Sequence, residues 1–344
     1  MTLPLIYDLD LQNLTARLNE WGQPAYRAIQ IWEGLYRNFW NSPKEFTNLP
    51  SVLRSKLAEK FHFIALSPTT ILESADHSTV KTLFRLSDER AIEAVLMRYD
   101  RRRTLCISTQ VGCAMGCVFC ATGQMGFRRH LSSGEIVAQV MYYARLLQKQ
   151  AEAVTNVVVM GMGEPFHNYE NTMAAIDRLN DPQGYNFGAR RFTISTVGLV
   201  PFIRRFAGEK RQVNLAISLH AADDDLRVSM LPVNKKYPID EVLSACRDYV
   251  SATGRRISFE WALIRDVNDT SQQAARLARK LKGLLCHVNV IPLNPTVGYA
   301  GQATTRQRAE MFKEVLNVAG IPCTIRLRRG MDIQAGCGQL AGKV

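Results

Sequence analysis

The chain has 344 residues, 47% hydrophobic and 22% charged, with 22 Gly and 13 Pro, a composition that excludes collagen-like, low-complexity and largely disordered proteins. No apolar run approaches the roughly 20 residues needed to span a bilayer, and the opening MTLPLIYDLDLQNL carries Asp8 and Asp10 where a secretory leader would be basic and then apolar, so a cytoplasmic protein with no membrane contact is expected. The formal charge of +12 is unevenly spread: residues 1–97 hold 10 Lys and Arg against 11 Asp and Glu, and residues 98–344 hold 33 against 20, so the surface that would attract a polyanion such as RNA belongs to the second part.

Residues 1–97 read as a small helical accessory domain with a linker. AYRAIQIWEGLYRNFW (25–40) and FTNLPSVLRSKLAEKF (46–61) carry apolar residues at helical spacing. Trp21, Tyr26, Trp32, Tyr36 and Trp40 follow that period, which favours core packing over base-stacking platforms. Glu93, in AIEAVLM (91–97), alternates with apolar neighbours as a solvent-facing strand residue would.

From residue 98 the pattern changes. RTLCISTQ (103–110) reads as a strand and SSGEIVAQVMYYARLLQKQ (132–150) as a helix capped by Ser132 or Ser133. Between them lie Cys113, Cys117 and Cys120, spaced C-x3-C-x2-C in VGCAMGCVFCATG. Three thiolates on one loop fit a [4Fe–4S] cluster with one iron open to a ligand; a zinc knuckle completed by His130 or a remote residue is the alternative. Strand-like runs at 154–161, 190–196, 212–220, 255–264, 286–294 and 322–328 then alternate with helical stretches at 169–180, 238–252, 270–282 and 304–319. The predicted fold is α/β, a parallel sheet wrapped by helices.

Polar residues collect where these strands end, at GMGEP (161–165), STVG (195–198), SLH (218–220) and PLNP (292–295). In a parallel barrel those ends face one mouth, so the four turns and the thiol loop converge there as an active site. Each also has a plainer reading: Glu164 as a helix cap, Ser195 as a turn residue, His220 as a core histidine, Asn294 as an Asx turn. Cys246, Cys286 and Cys323, in helix and strand runs, read as structural.

CAMGCVFC, GMGEP, ISLHA, HVNVIPLNP and CGQLAG together resemble the radical S-adenosylmethionine RNA methyltransferases of the RlmN/Cfr family, on its RlmN branch, over nearly the whole chain. The resemblance implies a partial (β/α)6 TIM-like barrel over 98–344, with an RNA-binding accessory domain over 1–97. It implies that Cys113, Cys117 and Cys120 hold a [4Fe–4S] cluster, and that Gly163, Glu164, Ser195, Ser218, Leu219, His220 and Asn294 surround S-adenosylmethionine, two molecules of which serve each turnover. Cys337, in the glycine-rich GMDIQAGCGQLAG (330–342), matches the cysteine that accepts a methyl group and then, as a radical, adds to the base. Cys106 matches the thiol that releases product through a transient disulfide with Cys337, and Glu93 the base that removes the ring proton. Gln334 and Gly336 depart from the family's common Asp and Ala beside that cysteine.

The implied reaction is methylation of C2 of adenine 2503 in 23S rRNA and of adenine 37 in tRNA by a monomer that draws electrons from flavodoxin or ferredoxin. A Cfr-type C8 methyltransferase uses the same apparatus, and a basic RNA-binding protein with a structural metal is the non-enzymatic alternative.

Overall fold

The computed structural model describes residues 3–342. It opens with helices α1 (Leu11–Glu20), α2 (Tyr26–Tyr36) and α3 (Ser51–Lys60). Asp10 starts α1 by accepting from the Asn13 backbone N–H at 2.7 Å, which satisfies one of the amides a helix start leaves unpaired. Trp32 and Tyr36 are fully buried, Trp21 and Trp40 pack half-buried on the same core, and Tyr26 is exposed.

The stretch read as linker holds three antiparallel strands, β1 (Ser67–Glu73), β2 (Thr79–Arg85) and β3 (Ala91–Arg98), joined to β4 (Arg103–Cys106). Beside β4 run the parallel strands β7 (Asn156–Val159), β8 (Phe192–Thr196), β9 (Asn214–Ser218), β10 (Ile257–Leu263), β11 (Cys286–Pro292) and β12 (Cys323–Ile325), giving one ten-stranded sheet in the order β1-β2-β3-β4-β7-β8-β9-β10-β11-β12. The run read as one strand at 103–110 divides. After β4 the chain leaves the barrel sheet, held by a hydrogen bond from the Ser108 amide to Gln139 Oε1, and enters β5 (Gln110–Gly112), which pairs with β6 (Phe127–His130) in a separate hairpin.

Helices link the parallel strands: α5 (Ser133–Gln148), α6 (Tyr169–Asn180), α7 (Val200–Gly208), α8 (Asp224–Met230), α9 (Ile239–Thr253), α10 (Ser271–Leu281) and α11 (Arg306–Val318), with the single turn α4 (Ala121–Gln124) beside the thiol loop. Each long helix predicted after residue 130 is present. α7 and α8 were not anticipated: α7 has only nine residues and opens on Pro201, a breaker in a helix interior that is well tolerated in the first turn. α5 begins with the capping box that SSGE suggests, Ser132 Oγ accepting from the Glu135 amide at 3.2 Å and Glu135 returning the bond to the Ser132 amide at 2.9 Å.

A large hydrophobic core runs from Ile6 to Leu340 and spans the helical layer and the barrel, and a smaller cluster packs Cys117 against Ala221, Met230, Leu231, Ile264 and Leu293. Arg178 of α6 donates to the Tyr7 and Asp8 carbonyls at 2.6 and 2.8 Å, and Arg145 of α5 pairs with Glu45, so α5 and α6 dock the amino-terminal layer. The sheet is open, with β1 and β12 at its edges. The segment after β12 crosses towards the β2–β3 side: Arg326 N–H donates to Val290 of β11 at 2.8 Å, Arg329 reaches the Arg98 carbonyl, and Asp332 accepts from the Ala75 amide at 2.8 Å. Side-chain and loop contacts, without a strand ladder, bridge this gap.

Candidate active site

Because β4 and β7–β11 run parallel, their carboxyl ends open on one mouth, and a cavity lies there with about 1040 Å³ of space including its open mouth, the end of a parallel sheet where ligands bind. Cys113, Cys117 and Cys120 line one side. Their loop is framed by the β5–β6 hairpin, where the Cys113 amide donates to the Gly126 carbonyl at 3.1 Å, and it is tightened by a bond from the Cys120 amide to the Cys117 carbonyl at 3.1 Å. Burial pushes the Cys113 thiol up to about 12 and the Cys117 thiol well above its ordinary range. Cations must therefore stabilise the thiolates, and ligation of iron displaces protons.

His130 is engaged elsewhere: its Nδ1 lies 3.0 Å from Gln110 Nε2 and its ring packs against Phe127 and His167. Among the described residues no three Cys, His, Asp or Glu side chains converge on a single-ion site. The three loop thiols themselves are thus not gathered around one ion, a spread that suits a polynuclear cluster better than a single zinc.

The opposite walls come from the strand-end turns. Gly163, at φ +105°, lies so close to Gln110 that a Cβ would fall 2.6 Å from that side chain, so only glycine fits. Glu164 next to it accepts from the Phe166 and Val197 amides at 3.0 and 2.9 Å, and burial raises its carboxyl to about 7. Ser195 and Ser218, from adjacent strands, bring their hydroxyls within 3.2 Å. His220 sits in the left-handed region at φ +60°. Its Nδ1 accepts from the Ala262 amide at 2.9 Å, which leaves the proton on Nε2, and burial lowers its pKa to about 3, so the ring stays neutral. Asn294 donates to the Cys337 carbonyl at 3.0 Å, while its Oδ1 is buried with no donor. An orphaned acceptor on a cavity wall is what a bound amine or hydroxyl would satisfy, so these residues fit S-adenosylmethionine as well as the thiols fit the cluster.

Leu219 departs from its expected place. Its side chain is fully buried and does not line the cavity; its carbonyl accepts from Arg227 at 3.0 Å. Glu93 is not a solvent-facing strand residue: it is 1% exposed, pairs with Lys81 at 3.0 Å and accepts from the Ala341 and Gly342 amides. Cys337 lines the cavity together with the three loop cysteines. Cys106 is buried at the end of β4, where burial and the neighbouring Cys337 raise its thiol pKa. Cys246, Cys286 and Cys323 are all buried.

Two site residues escaped the sequence reading. Glu260 lines the cavity from β10, in register between Ser218 of β9 and Asn289 of β11. Burial raises its carboxyl, and Asn289 donates to it at 2.8 Å. A lone carboxylate inside an apolar strand was the available signal. Arg227 is wholly buried and donates to the Leu219 and Val197 carbonyls at 3.0 and 2.6 Å, tying the SLH and STVG turns together; nothing in DDDLRVSM marks it.

A model of the radical SAM superfamily matches residues 107–278, half of the chain. A second, the ribosomal RNA large subunit methyltransferase N-terminal domain, matches residues 5–63. The chain is 49% identical to a dual-specificity RNA methyltransferase RlmN of Myxococcus xanthus, covering 98% of this chain and 94% of that one. The chain belongs to the RlmN family. It is also 48% identical to a probable RlmN of Chloroflexus aurantiacus, over 98% of this chain and 93% of the relative. A crystal structure of a radical SAM methyltransferase from Sphaerobacter thermophilus superposes with a TM-score of 0.97 at 50% identity, covering 99% of this chain and 100% of that one. As an RlmN-family radical SAM RNA methyltransferase, the chain takes a [4Fe–4S] cluster and S-adenosylmethionine, two per turnover, and the fold is the α/β radical SAM barrel with an amino-terminal helical region.

Proposed function

We propose that this RlmN-family enzyme methylates C2 of adenine, in 23S rRNA at position 2503 and in tRNA at position 37, with Cys337 as the methyl carrier. The observation that carries the reading is the placement of Cys337, more than two hundred residues beyond the cluster loop, on the wall of the cavity that Cys113, Cys117 and Cys120 also line. C2 of adenine is electrophilic and has no acidic proton, so a polar methyl transfer to it is closed. When bound, the cluster and S-adenosylmethionine supply a methyl group and a hydrogen-abstracting radical. The protein's residues do the rest. Cys337 holds the methyl carbon as a thioether and presents it to the ring, forming a covalent protein–RNA adduct. Glu93 takes the C2 proton, and Cys106 closes a disulfide with Cys337 that frees the product.

Apart from Glu93, residues 98–344 carry this chemistry, and residues 1–97 serve as the RNA-binding accessory domain with its linker. The target base must leave its stack to enter the cavity, which favours loops over duplex RNA. The enzyme acts as a cytoplasmic monomer with flavodoxin or ferredoxin as electron donor; among the described residues no helix is long and apolar enough to cross a membrane. The test is nucleoside mass spectrometry of 23S rRNA and tRNA after anaerobic incubation with reconstituted protein, S-adenosylmethionine and reductant. 2-Methyladenosine in both RNAs is expected; 8-methyladenosine, or cofactor cleavage with no methylated adenosine, would overturn the reading.

A further inference from the structure

The loop that carries Cys337 is held at both ends by one buried ion pair. Lys81 of β2 and Glu93 of β3 meet at 3.0 Å with side chains 8% and 1% exposed. Lys81 Nζ also donates to the Gln334 carbonyl at 3.3 Å, three residues before Cys337. The second carboxylate oxygen of Glu93 accepts from the Ala341 and Gly342 amides at 2.6 and 3.0 Å, four and five residues after it. Gln334 is bent into the left-handed region at φ +52°, a conformation that a side-chain-bearing residue keeps only when its surroundings hold it. A charge pair shielded from water and bonded to backbone on both sides is a strong anchor.

We propose that Lys81 is a positioning residue for methyl transfer: through Glu93 it clasps segment 334–342 so that Cys337 stays in the cavity, and the clasp must open before Glu93 can face RNA. While two amides hold one Glu93 oxygen and Lys81 the other, the carboxylate is 1% exposed and does not line the cavity, so it meets no substrate proton. Loading of Cys337 and deprotonation of the base therefore belong to two positions of one loop, with Lys81 on Glu93 in both. The clasp itself is independent of the proposed reaction; only the meaning of its opening rests on that reading.

Cys337 is already exposed on the cavity wall, so the readout is taken at the two amides that Glu93 holds. The experiment is peptide-resolved hydrogen exchange of the cluster-reconstituted protein without RNA, in wild type, Lys81→Met and Lys81→Arg. Lys81→Met is expected to speed exchange at Ala341 and Gly342 at least tenfold and Lys81→Arg to restore it to within about twofold, with the amides of β8 and β9 unchanged in all three. Adding saturating RNA to wild type is expected to speed exchange at Ala341 and Gly342 towards the Lys81→Met rate, and unchanged or slower exchange there with RNA overturns the opening. Unchanged exchange at Ala341 and Gly342 in Lys81→Met overturns the clasp, and so does an equal rise across β8 and β9, which would make the pair a support of the whole fold. Failure of the proposed reaction would instead show as absent methyladenosine with the RNA-free exchange pattern intact.

Discussion

Glu164 is held by two backbone amides, yet burial outweighs them and lifts its carboxyl to about 7 from an ordinary 4.5. The fold thus favours the protonated form, so Glu164 contributes stability at low pH that is lost as pH rises from about 4.5 through 7. A ligand ammonium has the opposite preference and binds the ionised form. S-adenosylmethionine affinity is accordingly expected to fall below about pH 7, by up to tenfold per pH unit, in calorimetric titrations, and Glu164→Gln to flatten that dependence. The cysteines divide by location. Cys120→Ala is expected to lose the cluster and all cleavage of S-adenosylmethionine, whereas Cys337→Ala retains the cluster's absorbance and loses RNA methylation. Cys106→Ala is expected to accumulate the protein–RNA adduct, seen as a shifted band on a denaturing gel.

At the level of elements, the mouth turns are positioned by polar groups behind them. Arg227 of α8 reaches the carbonyls of Val197 and Leu219 and the side chain of Asn234 at 2.8 Å. Burial lowers its pKa to about 10, still far above neutrality, so the guanidinium stays charged, bonded to carbonyl oxygens with Asp224 near enough to favour its charge. Arg227→Leu would strand those acceptors, at a cost of about 3 kcal/mol, and is expected to lower the denaturant midpoint and weaken S-adenosylmethionine binding together. Ser132 is a milder case: loss of its cap on α5 in Ser132→Ala should cost about 1 kcal/mol and leave binding unchanged. The periodic helices were legible because apolar residues recur along each at helical spacing, although α5 is buried on nearly every side. α7 was not, because nine residues show too few repeats, and the strands at 67–85 were passed over because their neighbours set no helix-and-strand alternation.

Across the whole molecule, adjacent basic residues recur from Arg101 to Arg329, and only a few of them are tied up in ion pairs. Arg103 is committed to Glu152, Arg129 to Asp88 and Glu135, Arg204 to Asp248 and Arg205 to Glu170, while Arg101, Arg102, Arg128, Arg190, Arg191, Lys235, Lys236, Arg255, Arg256, Arg328 and Arg329 have no ion pair among the described residues. RNA binding is therefore expected to be salt-sensitive: if about six phosphates are neutralised, affinity should fall about 10³-fold between about 50 and 200 mM salt, measured by filter binding. A flat salt response would remove the basic barrel surface as the RNA contact.

The sequence by itself determined the alternation of strands and helices, the cluster loop, and the polar turns that line the mouth, because periodicity and spacing are local and a parallel barrel sends every strand end to one face. It could not assign partners across the open edge of the sheet. Which groups bridge the β2–β3 side and the carboxyl-terminal segment, that Glu93 is buried against Lys81, and that Cys337 enters the cavity with Cys106 behind it were decided by the tertiary structure. Those contacts join residues up to 257 positions apart, and burial, which turns an alternating polar residue into a paired one, exists only once the layers have packed.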